Sequence, residues 1–392
     1  MAFDLAEWLN LAIRWLHLTA GIAWIGSSFY FVWLDMHLTK PVRGDASGEL
    51  WSVHGGGFYH NQKYQVAPAQ MPDRLHWFKW EAYFTWLSGF SLLVLVYYVG
   101  AQSFLLDPAK AALSPAQGIA IGLAALVSGW VVYDLLCRSS LGSNNQVFGI
   151  CWFLCLLLAG YGLDTVFSSR AAYLHVGAII GTVMVANVFF VIIPNQRKVV
   201  ADLVAGRTPD PALGAAAKLR SLHNNYMTLP VLFIMISPHY PMTYGADRPW
   251  LVLALLGLTG VAIRHVFNLR NREQPIGRAI VLAVVLALAS VTYVTLEKSS
   301  GARPAEHVRF AEIQPILVTH CAGCHSLHPA NKAFAAPPKG LVLDSYAHVS
   351  AAAERIQKMA VDTEVMPLGN ATGMTKAERE KLGAWIAGGE PQ

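Results

Sequence analysis

Ala172-Tyr-Leu-His-Val-Gly-Ala-Ile-Ile-Gly-Thr-Val-Met-Val-Ala-Asn-Val-Phe-Phe-Val-Ile-Ile193 runs without an Asp, Glu, Lys or Arg. As a helix it rises about 33 Å. That is enough to cross a hydrocarbon core about 30 Å thick, in which an unpaired backbone group finds no partner. Seven other stretches read the same way: Trp8 to Leu34, Phe78 to Val99, Ala116 to Leu136, Val147 to Phe167, Leu219 to Ser237, Pro249 to Phe267 and Ile276 to Leu296. The one from Leu219 is weakest, because its purely apolar part, Met227 to Ile236, is too short to span and follows His223, Asn224 and Asn225. The whole chain is 54% hydrophobic and 14% charged, where a soluble domain carries roughly 25% charge. An ordinary soluble enzyme is excluded, and the expected fold is all-α: a polytopic transmembrane bundle of about eight helices.

The N-terminal Met1-Ala-Phe-Asp-Leu-Ala-Glu-Trp8 has no basic leader, and the apolar stretch after it is longer than a signal-peptide core, so a retained first helix is expected. Lys and Arg favour cytoplasmic loops. Alternate loops, beginning after the first helix, hold 13 such residues, against 3 (Lys110, Arg170, Arg248) in the others. Both termini are therefore expected outside, in the periplasm of a bacterial inner-membrane protein. Residues 1–301 hold 20 Lys and Arg and 15 Asp and Glu, so the net charge of +5 lies there and the remainder is neutral. No basic face suited to nucleic acid is evident.

After Leu296, the polar Glu297-Lys-Ser-Ser-Gly-Ala-Arg-Pro304 reads as a linker, with a boundary near residue 301 and a small domain over 302–392. There, Cys321-Ala-Gly-Cys324-His325 is the Cys-x-x-Cys-His pattern of covalent haem c. One turn puts both thiols on one edge of a porphyrin and the imidazole over its iron. Zinc or a redox dithiol is the competing reading, but no second ligand pair at zinc spacing follows. Met366, in Glu-Val-Met-Pro-Leu-Gly, is the expected sixth iron ligand, with Met359 and Met374 as competitors. Phe310 to His320 and Lys376 to Ala387 are expected helices, the second with Leu382, Trp385 and Ile386 on one face. Such a class I cytochrome c-like domain relays single electrons. The other cysteines, Cys137, Cys151 and Cys155, read as small apolar residues of buried helices.

Ionisable groups within spans are costly and face a bundle interior or cavity. His37, His76, Glu81, His223, Asn224, Asn225, Arg264, His265 and Asn268 fall in a cytoplasmic layer. Arg14, His17, Asp134, Asp164, Asn187, His175 and His239 fall nearer the middle or the periplasm. His17 shares a face with Gly21, Trp24 and Ser28, and His175 lies at comparable depth, so the two are candidates to hold an intramembrane haem b; packing histidines are the plainer alternative. Gly118 and Gly122 suit close helix pairing. The first cytoplasmic loop, with His54-Gly-Gly-Gly-Phe-Tyr59-His60, Lys63 and Tyr64, offers flexible backbone, charge and aromatic surface to a ligand, or is a flexible connector.

Arg14-Trp-Leu-His17-Leu-Thr-Ala-Gly-Ile-Ala-Trp24-Ile-Gly, His76-Trp-Phe-Lys-Trp-Glu81-Ala-Tyr-Phe-Thr-Trp86, His223-Asn-Asn-Tyr226-Met-Thr-Leu-Pro230 and the haem motif together resemble the membrane-bound urate oxidases fused to a C-terminal cytochrome c, the PuuD type. The resemblance covers the whole chain. It implies a transmembrane urate oxidase domain over 1–301, a periplasmic cytochrome c domain over 302–392, and oxidation of urate to 5-hydroxyisourate without hydrogen peroxide. Electrons would pass through the fused cytochrome to a soluble cytochrome c or terminal oxidase of the respiratory chain.

Urate is a planar anion, so its site needs cationic or N–H donors, an aromatic platform and a base. On that physical reading Lys63 and Arg264 hold the anion, Tyr64 or Trp80 stacks, Asn224 and Asn225 read its edge, and Glu81 or His223 takes a proton. A quinol or porphyrinogen oxidoreductase, and a membrane-tethered electron carrier, are the alternatives.

Overall fold

The computed structural model describes residues 5–42, 44, 46–64, 68, 71–300, 308–331 and 334–392, with backbone alone over 297–300. Residues 1–4, Arg43 and 301–307 lie outside the described residues. With them lie part of the leader and charge readings and the boundary near 301. Of the described residues 71% are helical and 5% are in strands.

All eight apolar stretches are largely helical. In chain order the helices of this part are α1 (Leu5–Met36), α2 (Trp80–Leu93, continued by a π-helical turn, Val94–Tyr98), the short α3 (Ala101–Phe104), α4 (Pro115–Arg138), α5 (Asn145–Asp164) and α6 (Ser169–Ala186). A second π-helical turn, Asn187–Ile192, carries α6 into α7 (Ile193–Val204). Then follow α8 (Pro211–Ile236), the short α9 (Pro241–Tyr244), α10 (Pro249–Asn271) and α11 (Gly277–Ser300). Among the described residues five helices are long and apolar enough to cross a membrane: Pro115–Arg138, Asn145–Asp164, Ser169–Val204, Pro249–Asn271 and Gly277–Leu296. The expected eight is corrected to five on this criterion. The helices α1, α2 and α8 fall outside it because Ser, Trp, Tyr, His and Asn dilute their apolar content.

Ser169–Val204 is the central helix, with 61% of its apolar window buried, against 17–33% for the other four. Its buried side chains, among them Tyr173, Val176, Ile180 and Val183, meet Leu126, Tyr133, Trp152 and Ile234 from α4, α5 and α8 in one core. Close approach at the α4–α6 crossing depends on Gly122, where a Cβ would lie 2.7 Å from both His175 Nε2 and Tyr98 Oη. On the flank α1 and α2 run antiparallel: His17 meets Thr85 and Ser88, and Phe31 meets Phe78 edge-on at 4.9 Å. The second π turn immediately precedes Pro194, which lacks an N–H and crowds the preceding turn.

The first loop departs from the all-α expectation. Strands β1 (Gly48–His54) and β2 (Gly57–Lys63) form an antiparallel hairpin, with His54 paired to Gly57. Gly55 and Gly56 take φ of 58° and 78°, values that suit a two-residue primed turn. The glycine run thus serves the turn.

In the tail, α12 (Phe310–His320), α13 (Tyr346–Ala351), α14 (Ala353–Ile356) and α15 (Lys376–Ala387) surround a separate core of Ile313, Leu317, Val349, Leu382 and Trp385. Leu382 and Trp385 are fully buried, as the one-face reading expects, and Trp385 Nε1 donates to Pro391 O at 2.9 Å. Thr375 caps α15: its backbone N–H and its hydroxyl both donate to Glu378 at 2.7 Å. These bonds, reinforced by His320, hold the Glu378 carboxyl down to about 2.

Candidate functional site

Successive residues of a helix point about 100° apart, so His223, Asn224 and Asn225 of α8 fan out toward three neighbours. Asn225 turns to α10. Its Oδ1 accepts from Arg264 Nε and from Asn268 Nδ2, each at 2.9 Å. Asn224 turns to the π turn after α6, accepting from Asn187 Nδ2 and donating to Met184 O, both at 2.9 Å. His223 turns to α4 and α5, stacked at 4.2 Å on Phe148 and 2.9 Å from Tyr133 Oη through Nδ1. Tyr133 also accepts from Asn187 Nδ2 at 2.9 Å.

A charged chain supports this layer. Arg220 donates to Asn187 Oδ1 at 3.2 Å and to Asp134 Oδ1 at 2.6 Å, and Arg138 pairs with the second Asp134 oxygen at 2.7 Å. Asp134 and Asn187 therefore belong with His223 and Asn224, not in a separate layer nearer the periplasm. Cys137 Sγ lies 3.8 Å from His223 Nδ1. Tyr133 and Cys137 are four apart on α4, a helix-face spacing that could have marked them. Arg220 stands one turn before the His-Asn-Asn run.

Three buried polar atoms of this layer have no hydrogen-bond partner, His223 Nε2, Asn225 Nδ2 and Asn268 Oδ1, and neither has Glu81 Oε2 at the start of α2. A buried unpaired group costs about 1–3 kcal/mol, so these atoms are suited to a polar ligand. Asn225 Nδ2 is an unpaired donor and Asn268 Oδ1 an unpaired acceptor, on two side chains that the bond from Asn268 Nδ2 to Asn225 Oδ1 joins. Beside them the Arg264 guanidinium covers the Phe29 ring at 3.7 Å. Glu81 opens α2 next to Ala82, which packs with Val185, Val188 and Trp24.

The structure thus brings together Asn225, Arg264 and Asn268, and links Asn224 and His223 to them through α8. Lys63, Tyr64 and Trp80 have other partners. Lys63 Nζ pairs with Asp35 at 2.7 Å, and Tyr64 Oη donates to Gln62 Oε1 at 2.8 Å. Trp80, exposed, meets Tyr83 at 5.7 Å and Phe84 at 6.0 Å. Among the described residues none of the three bonds to the buried cluster, because the hairpin draws the first loop into its own pairing.

His17 and His175 differ as haem ligands. His17 Nδ1 lies 2.9 Å from Thr85 O and 3.2 Å from Ser88 Oγ. That anchor leaves Nε2 free and is typical of a metal-binding histidine. His175 is fully buried. Its Nδ1 lies 2.8 Å from Ala171 O and its Nε2 3.3 Å from Tyr98 Oη, with Phe167 against the ring at 5.0 Å. The two meet α2 near Thr85 and near Tyr98, a separation of about 20 Å along a helix. They do not converge on one iron.

In the tail the donor set fits haem c. Cys324 N and His325 N both donate to Cys321 O, at 3.2 and 2.9 Å, which closes a single turn after α12. The two thiols are free. His325 Nδ1 lies 3.1 Å from Leu341 O, so Nε2 remains for iron. Met366, half-buried, packs on the same core as Cys321, whereas Met374 is a buried part of that core.

No curated protein and no solved structure matches the chain. The Urate oxidase N-terminal family matches residues 4–295, the bundle with its buried Asn225–Arg264 layer. The chain belongs to that family.

Proposed function

We propose that the protein is a membrane-bound urate oxidase of a bacterial inner membrane that converts urate to 5-hydroxyisourate and delivers the electrons through a C-terminal cytochrome c to the respiratory chain. The observation that carries this reading is the family match over 4–295 around buried donors and acceptors that lack partners. Urate and water yield 5-hydroxyisourate, two protons and two electrons, so the chain must accept protons and pass electrons singly. Arg264, held by Asn225, faces the anion. Asn225 Nδ2 donates to and Asn268 Oδ1 accepts from the heterocycle's edge, Phe29 supplies an aromatic face, and the Glu81 carboxylate takes a proton. Asn224 and Asn187 fix the layer from behind, and the unpaired His223 Nε2 is a further polar contact. Lys63, Tyr64 and Trp80 have no direct role in this arrangement.

Cys321 and Cys324 would attach haem c, and His325 and Met366 would hold its iron. Of the two candidate histidines, His17 keeps a nitrogen suited to haem b, and it lies between Glu81 and the tail-facing end of α2. When bound, these groups supply one-electron redox chemistry. Both chain ends are assigned to the periplasm, and a soluble cytochrome c or terminal oxidase is the acceptor.

Anaerobic addition of urate to oxidised, detergent-purified protein tests the reading. Reduced haem c bands are expected without oxygen. Failure of urate with success of a quinol, in protein that dithionite reduces, would transfer the assignment to a quinol oxidoreductase.

A further inference from the structure

The tail does not merely follow the bundle in sequence; a specific part of it rests on the bundle's end. That end is built by α3, by residues 105–107 and by the start of α6. Ser168 N donates to Leu105 O and Ser168 Oγ to Phe104 O, each at 3.0 Å, which ties the α2–α4 connection to the α5–α6 connection. Gly369 of the tail lies directly over this ledge, where an added Cβ would come 2.8 Å from both Ser103 O and Leu106 O. On the other side Gly245, just after α9, lies against Thr363 so closely that an added Cβ would overlap its backbone oxygen. Between these contacts Val365 packs on the bundle core that contains Leu105, Leu106, Phe167 and Tyr244.

The same loop carries Met366. Arg379 of α15 fixes it from within the tail, donating to Ala360 O and Met366 O and, at 3.3 Å, to Asn370 Oδ1. A cleft of about 1640 Å³ surrounds the contact and is lined by Lys110, Asp164 and Arg170 of the bundle together with Glu364 and Arg379 of the tail. Lys110 is held by Asp164 and Ser169 at 2.7 and 2.8 Å, and Arg170 covers the Phe104 ring at 5.9 Å. Two of the three basic residues of the outside loops thus lie at this contact. Asp107, whose carboxyl is pushed up by burial and drawn back by the Ala109 N–H, Lys110 and Arg379, faces the tail's arginine across it.

We infer that the Thr363–Asn370 loop is the tail's docking surface on the bundle, an internal electron-transfer junction that presents the Met366 side of the tail to the bundle and leaves the Cys321–His325 side for the external acceptor. This rests on the assignment of haem c to the tail. Each of the two electrons released in urate oxidation would cross this contact singly to a haem held by the tail, and the external acceptor would remove it.

Two variants of the full-length holoprotein test the junction. Gly245→Val adds side chain where Thr363 sits and leaves the tail's own sequence intact. It is expected to slow haem c reduction by urate roughly a hundredfold, the scale of a misplacement of about an ångström, while reduction by ascorbate and the haem spectrum stay as in the unaltered protein. An unchanged urate-driven rate overturns the junction. The pair Gly245→Cys and Thr363→Cys, with a protease site inserted within 301–307, reads docking without urate. After oxidation and cleavage one band on a non-reducing gel is expected, and two separate fragments overturn the contact. If the unaltered protein is not reduced by urate, the urate assignment fails while the gel still decides the docking.

Discussion

Asn225 carries the largest share of the proposed site, because one side-chain oxygen restrains both Arg264 and Asn268. Asn225→Leu removes that acceptor from two buried donors. A cost of about 1–3 kcal/mol for each unpaired group is expected, read as a lowered thermal midpoint in detergent together with loss of urate-driven reduction. Asn225→Asp separates the two effects. It keeps the acceptor, so the midpoint should hold, but it replaces an N–H donor with negative charge where an anion must bind. The urate concentration for half-maximal reduction should rise roughly tenfold, the equivalent of 1.4 kcal/mol. Single residues also show where a sequence stops informing. His223, Asn224 and Asn225 stood out because polar residues in a span are costly, yet their three directions and their pairing with Tyr133, Asn187 and Arg264 come only from the packing of the helices. Lys63 and Tyr64 looked equally suitable, and the hairpin ties them to Asp35 and Gln62 instead.

Among the elements, α6 with the π turn after it is the most legible: the run Ala172 to Ile193 has no Asp, Glu, Lys or Arg, and most of it is buried, although Phe189 and Phe190 are exposed. The neighbouring α4 reaches it through Gly122. Gly122→Val would drive a branched side chain into His175 and Tyr98, and overpacking of this kind typically costs about 1–3 kcal/mol; a lower thermal midpoint with the haem c spectrum retained is the expected result. The hairpin was not legible, since the run His54-Gly55-Gly56-Gly57 fits a flexible connector as well as a turn, and only cross-strand pairs such as Trp51 stacked on His60 at 4.1 Å decide it. The first and last tail helices were legible in the sequence, whereas the short α13 and α14 were not. The cap of α15 gives a pH-dependent expectation. Glu378 is depressed in the folded tail from its ordinary 4.5 to about 2, so its contribution is present above the ordinary value and fades as pH falls toward the folded one. Glu378→Gln should flatten the decline of the tail's thermal midpoint across that interval, measured on the holoprotein.

At the scale of the whole molecule, orientation is the consequence of charge placement. Cysteines introduced singly at Arg272, between α10 and α11, and at Leu327 of the tail, in a background with Cys137, Cys151 and Cys155 replaced by alanine, should behave oppositely. An impermeant thiol reagent is expected to label the Leu327→Cys protein in intact spheroplasts and the Arg272→Cys protein only after permeabilisation; labelling of both before permeabilisation would reject the arrangement. Residues 301–307 are all that separate the end of α11 from the first described residue of the tail. A tether that short gives its two ends an effective concentration on the order of millimolar, whereas a complex of separate molecules with a Kd of 1 mM is worth only about −4.1 kcal/mol. Contacts too weak to hold two free proteins together are therefore enough to keep the tail seated for much of the time. Registry of the Thr363–Asn370 loop then matters more than adhesion, and transfer into the tail becomes a first-order event, independent of how dilute the protein is in its membrane.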